Sequence, residues 1–91
     1  MDEKFRKAHS LYLENRNGLK LTGVTDVDFF DEETVTAFTD YGLITVSGSA
    51  LHVEELNLES GVLEITGEVT ALVYSSKTKK EKGLLKRLFS A

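Results

Sequence analysis

Apolar and polar residues alternate along most of this chain in runs of four to nine, the period of half-buried β-strands and not of helices. Residues 10–14 place Leu11 and Leu13 on one side. Asn17-Gly18 follows as a two-residue hairpin signal, since both residue types tolerate positive φ. Leu19, Leu21 and Val24 continue the pattern. Residues 34–39 (Thr-Val-Thr-Ala-Phe-Thr) are β-branched and aromatic and predict a strand. Asp40-Tyr41-Gly42 predicts a turn, and residues 43–47 a strand with Ile44 and Val46 inward, broken by Gly48 and Ser49. In residues 50–58 the inward set is Leu51, Val53, Leu56 and Leu58, and the change of phase after Val53 predicts a bulge. Glu59-Ser60-Gly61 is a turn signal, and strands are expected at 62–66 and 68–75. In the last of these Val69, Ala71 and Val73 share one face, and Leu72 and Tyr74 the other.

Residues 26–34 (Asp-Val-Asp-Phe-Phe-Asp-Glu-Glu-Thr) read as an acidic loop or one helical turn, pinned to the body by Phe29 and Phe30. Three Gly–strand–Gly frames begin at Gly18, Gly42 and Gly61, spaced 24 and 19 residues apart. A meander that reuses glycine at its turns explains them better than a solenoid, because the period is irregular. The expected fold is all-β: about six to seven short strands in a small sandwich or rolled antiparallel sheet, with a short C-terminal amphipathic helix or disordered tail. Residues 1–8 form a flexible N-terminus, 9–76 the β-domain and 77–91 a basic tail.

Charge sharpens this division. The chain of 91 residues carries −4 overall, but residues 8–76 carry −10, with only Arg16 and Lys20 basic, and residues 77–91 carry +5. An acidic body is repelled by phosphate, so no nucleic-acid partner is expected. No apolar run approaches the ~18 residues that span a bilayer. Cysteine is absent, which removes disulfides and thiolate metal sites, and the first seven residues lack the apolar region of a signal peptide. Proline is absent too, which suits unbroken strand ladders. A domain of this size buries only about 60–65% of its unfolded surface, so self-association would add useful burial.

Candidate chemistry is sparse. His9 and His52 are too few for a histidine metal site, and neither HxxxH spacing nor a nucleophile or phosphate-loop signature occurs. Asp26, Asp28 and Asp31, with Glu32 and Glu33, superficially suggest a calcium loop. They lack the glycine at position six, and position twelve counted from Asp26 is Ala37, not glutamate. A solvated acidic loop is therefore expected, with a divalent-metal or small-ligand module as the alternative function. His9 and Ser10 are adjacent and point to opposite sides of a strand, which excludes a base–nucleophile pair. His52 is expected to be an exposed strand residue. Arg16 shares strand parity with Glu14 and is a candidate for pairing with an acidic group. No catalytic residue, cofactor or metal site is assigned.

The tail changes character. Lysines come first, then Leu84, Leu85, Leu88 and Phe89, whose i,i+4 spacing forms one apolar stripe on a helix, with Lys86 and Arg87 off it. Three states stay open: an interfacial anchor on anionic lipid or a membrane protein, a helix docked on the protein's own sheet, and a disordered end. The candidate interaction residues are Lys79, Lys80, Lys82, Leu84, Leu85, Lys86, Arg87, Leu88 and Phe89.

Several strings occur together and in register: His9-Ser-Leu-Tyr-Leu-Glu-Asn-Arg16, Leu21-Thr-Gly-Val-Thr-Asp-Val27, Gly42-Leu-Ile-Thr-Val46, Leu51-His-Val53, Leu56-Asn-Leu58 and Lys86-Arg-Leu-Phe89. Over residues 9–89 the chain resembles the YabP/YqfC family of small sporulation proteins from endospore-forming Firmicutes, and within it the YabP group. The resemblance implies expression in the mother cell and a requirement in spore development. It implies no catalytic residues. Together with the charge pattern, it sets the expected function as a non-enzymatic adaptor or scaffold, a homodimer joined by a strand edge or an apolar face. That adaptor would be cytoplasmic in the mother cell, peripheral at the forespore membrane or in spore envelope assembly. A self-polymerising β structural protein is a further alternative.

Overall fold

The computed structural model describes residues 7–76. Six antiparallel strands form one sheet: β1 (Leu11–Glu14), β2 (Gly18–Leu21), β3 (Val24–Phe30), β4 (Thr34–Thr39), β5 (Gly42–Asn57) and β6 (Val62–Ser75), in the order β1-β2-β6-β5-β4-β3. The all-β reading holds, but two pairs of expected short strands are each one long strand. Residues 43–47 and 50–58 merge into β5, and 62–66 and 68–75 into β6. The glycines bend these strands without ending them. Register shifts fall between Ser47 and Gly48, between Ser49 and His52, and between Val53 and Glu55.

Because β5 and β6 bend together, the sheet rolls into two layers. The first layer is β1, β2, residues 62–66 of β6 and 53–57 of β5; the second is β3, β4, residues 42–47 of β5 and 71–75 of β6. Leu19, Leu21, Leu63 and Ile65 of the first layer pack in one cluster with Val35, Ala37, Ile44 and Val46 of the second, and Leu51 and Val69 fill the corner. Leu21, Val24, Ile44 and Leu63 are fully buried. Cross-strand partners share a face, so Leu13–Leu19–Ile65–Val53 and Val35–Val46–Leu72 are rows on the inner side.

The two bends are closed by turns distant in sequence. At the β6 bend, the Gly67 and Val69 amides donate to the Asn17 and Arg16 carbonyls at 3.3 and 2.8 Å. At the β5 bend, the Gly48 and Leu51 amides donate to the Glu33 and Glu32 carbonyls at 3.0 and 2.8 Å. The Val24 amide donates to the Gly61 carbonyl, tying the start of β3 to the β5–β6 turn. Backbone groups that the bends free from their ladders thus find partners, as burial requires.

Four expectations are corrected. The β1–β2 turn is centred on Asn15-Arg16, both at positive φ (54° and 58°), with the Asn17 amide donating to the Glu14 carbonyl; it is not centred on Asn17-Gly18. Residues 24–30 are a strand, not a loop or a helical turn, although Phe29 and Phe30 stay 51% and 58% exposed. The extra residue Thr70 reverses the phase of β6, so Leu72 turns inward and Val73 outward, the opposite of simple alternation from Val69. Arg16 does not complete an acidic pairing as its local role: its Nε donates to the Val69 carbonyl at 3.1 Å.

Candidate functional site

Three surfaces and one latch carry whatever chemistry the described residues have. The latch holds the N-terminal segment. The Thr22 carbonyl accepts from His9 Nδ1 at 2.7 Å, since a carbonyl can only accept. In the neutral imidazole, Nε2 then accepts from the Tyr74 hydroxyl at 2.6 Å. The ring also stacks on Tyr41, at 6.4 Å between centroids, and meets Tyr74 edge-on. Burial pushes the Tyr74 phenol above its usual pKa. Both imidazole nitrogens are spoken for, so His9 works as a structural clasp between the N-terminus and the end of β6. Next to it, the Ser10 hydroxyl bonds Thr22 Oγ1 at 2.6 Å, and the Lys7 amide donates to Asp40.

The acidic segment proves to be structural. The Asp31 carboxylate accepts from the Glu33 and Thr34 amides, both at 2.8 Å, and this shapes the β3–β4 turn whose carbonyls close the β5 bend. Asp26 accepts from the Val27 amide, and Asp28 from the Thr36 hydroxyl at 3.3 Å. Among the described residues no three His, Asp or Glu side chains gather as a metal would need. The three aspartates proposed as ligands are spread along a strand and a turn and are not brought together.

The outer faces of the two layers differ sharply. Pairing places Tyr12, Lys20, Glu64 and Glu55 in one outward row of the first layer, and Glu14, Thr66 and His52 in the next. A shallow groove of about 340 Å³ runs between Tyr12, Glu14, Lys20, Glu64 and Thr66. His52 is exposed there, as expected. The outward rows of the second layer are Thr34–Ser47–Ala71, Phe29–Thr36–Thr45–Val73 and Asp26–Phe38–Leu43–Ser75, with Asp26 at the β3 end as their one charged residue. Asp26 and Asp28 lie on β3, along the margin of this face.

Among the described residues, rolling also leaves four strand edges: β1, β3, residues 53–57 and residues 71–75. Three carry the devices that discourage pairing with another chain. β1 is only four residues long; β3 has two register shifts and two aspartates; residues 53–57 have a shift and two glutamates. Residues 71–75 (Ala-Leu-Val-Tyr-Ser) have neither charge nor shift.

The tail residues singled out from the sequence, Lys79 to Phe89, lie outside the described residues, as does most of the expected flexible N-terminus. The outer face of the second layer was missed. Its signal was present in the alternating threonines of 34–39 and in Thr45, but only the pairing with Val73 and Leu43 joins them into one surface.

The pattern of strings anchored by His9, Arg16 and Gly42 extends to known proteins. The family model described as YabP family matches residues 6–81. The chain belongs to the YabP family. It is 34% identical over 83 residues to Spore protein YabP of Bacillus subtilis (strain 168), an alignment covering 89% of this chain and 83% of that protein. The YabP-family match spans all six strands and the His9 clasp. No helix among the described residues is long and apolar enough to cross a membrane.

Proposed function

We propose that the chain is a non-enzymatic adaptor of the mother cell. It associates with itself through an open sheet edge and reaches the forespore membrane, or a protein in it, through its basic amphipathic tail. A role in sporulation comes with membership of the YabP family. The observation that carries the mechanism is the split of charge: −10 over residues 8–76 against +5 over 77–91, with Leu84, Leu85, Leu88 and Phe89 at helical spacing in the basic part. Each lysine near an anionic bilayer contributes about 1 kcal/mol, and an apolar stripe adds insertion. The body has the opposite sign and is held off the same surface. The arrangement suits a tethered domain whose faces stay available to partners.

Co-sedimentation with vesicles containing anionic lipid tests this, comparing the full chain with one ending at Ser76. Binding by the full chain alone, weakened by salt, is the expected result. Equal behaviour of the two chains overturns the tail as the membrane address. The metal-binding alternative has no support in the arrangement of Asp26, Asp28 and Asp31.

A further inference from the structure

We infer that the slit between β3 and the edge at residues 53–57 is the docking site of the chain's own residues 84–89, seated there as a helix. The slit follows from the way the sheet rolls. β3 and residues 51–61 run side by side in opposite directions and are tied at both ends. The Val24 amide donates to the Gly61 carbonyl at one end, and the Gly48 and Leu51 amides donate to the Glu33 and Glu32 carbonyls at the other. Between these ties, among the described residues, no backbone hydrogen bond joins residues 25–31 to residues 52–60. The roll is pinned here but not zipped.

The floor of the slit is apolar. Cross-strand partners share a face, so Phe30 ends the inner row Val35–Val46–Leu72, and Leu56 ends the inner row Leu63–Leu21–Leu11. Val35, Val46, Leu63 and Leu21 are buried, yet Phe30 is 58% exposed and Leu56 43%. Val27 on one wall and Val53 on the other pack against the core and stay only partly buried. Interior side chains therefore meet solvent along this slit.

The rim is acidic. Glu32, Glu33, Glu54 and Glu55 are exposed around it, and no lysine or arginine occurs between Val24 and Gly61. Asp26 and Asp28 bond the Val27 amide and the Thr36 hydroxyl and take no part.

Floor and rim together select the occupant. A second body brings the same acidic rim and is repelled. An extended strand is discouraged on both sides, by the register shifts of β3 and by the shift and glutamates of residues 53–57. A helix satisfies its own backbone and asks nothing of either edge. Residues 84–89 set Leu84, Leu85, Leu88 and Phe89 on one helical stripe, with Lys86 and Arg87 off it. Laid over Phe30 and Leu56, that stripe covers the floor and turns its cations towards the glutamates.

Reach favours the chain's own tail over that of another copy. Val24 pairs with Thr39 and Thr39 with Gly42, so the Val24 end of the slit lies at the same end of the second layer as Ser76. Crossing from β6 to β3 takes three strand spacings, about 14 Å, and Val27 lies three residues further in, about 10 Å. Eight residues separate Ser76 from Leu84, an extended span of about 26–29 Å. The slit is within the tether, and a tethered segment has the advantage of effective concentration. This docking is separate from the membrane reading of the tail, although both use one stripe, and it leaves the uncharged edge at 71–74 open to a second copy.

The test is paramagnetic broadening in the full chain without lipid. The chain has no cysteine, so Ser90→Cys accepts a single nitroxide beside Phe89 and leaves the stripe intact. The expected result is signal loss centred on residues 27–32 and 52–57, little at residues 11–14 and 71–74, and recovery when Leu85→Glu and Leu88→Glu are added. These tail changes leave the β-domain untouched. Uniform or absent broadening overturns the docking, as does broadening centred on residues 11–14 and 71–74 or broadening that persists in the doubly substituted tail. Broadening that appears only when labelled chains are mixed with isotope-enriched unlabelled ones gives the tail of a second copy as occupant and overturns docking in cis. Vesicle binding is read separately, so either result stands without the other.

Discussion

Tyr74 occupies a position where one phenol serves both the clasp and the edge of the second layer. Its hydroxyl bonds His9, and burial raises its pKa above the usual value near 10. A pKa higher in the folded than in the unfolded chain means that the folded state holds its proton more tightly. The stabilisation is complete below pH about 10 and is lost as pH rises through the folded value. Chemical denaturation followed from pH 8 to 11 should show the midpoint falling more steeply for the natural chain than for Tyr74→Phe. Parallel curves would remove Tyr74 from the alkaline response. The clasp could not be read from sequence, because 65 residues separate its partners. The turn at Asn15-Arg16 was misread for a different reason. A turn at Asn17-Gly18 would pair odd with even positions and set Leu13 opposite a polar residue. The observed register sets Leu11 opposite Leu21 and Leu13 opposite Leu19. Register follows the buried face even when it places an arginine at positive φ, and the Arg16–Val69 bond holds it there.

At the scale of elements, the bends in β5 and β6 decide the architecture. Gly67 has φ near +120°, and a Cβ there would sit 2.4 Å from the Ala50 carbonyl oxygen, a backbone atom with little freedom to yield. Ala50 itself has φ 53°, where glycine is at ease. The two positions should therefore respond in opposite ways. Gly67→Ala should cost about 2–4 kcal/mol, and Ala50→Gly should be neutral or stabilise by up to about 1 kcal/mol. Urea unfolding with equal slopes would measure both, and a tolerated Gly67→Ala would mean that the bend can relax. The strands themselves were legible, including the bulge after Val53. Their continuity was not, because glycine marks a break and a bend with the same letter. The acidic run 26–33 was harder still. Half of it pairs as β3, and Asp31 shapes a turn for the sake of a seam with Gly48 and Leu51, which no local pattern reveals.

For the whole molecule, charge and edges bear on association. Two bodies of net −10 repel, but residues 69–76 are free of charge. With its unbroken register, the edge at residues 71–74 is where the proposed self-association would bring a second copy. Sedimentation velocity at micromolar concentration should give a dimer, with the population shifting to monomer on dilution. A single monomer species across the range would overturn self-association and leave the tail and the faces as the means of contact. The division into acidic body and basic tail was plain in the sequence. The outer face was not, since its members come from four strands and meet only through pairing.

The position of β6 in the sheet has a consequence in time. Among the described residues it is the last strand and the only partner of β2 besides β1. An isolated two-stranded hairpin is marginal in water. During synthesis, β1 and β2 must therefore wait for about forty more residues, from Leu21 to Val62, before the strand that completes their layer exists. At about 5–20 residues per second the delay is roughly 2–8 s. Throughout it Leu11, Leu19 and Leu21 have no interior to enter. The nascent chain thus spends those seconds with its first hairpin exposed, and the ribosome or a chaperone is the company it keeps until β6 arrives.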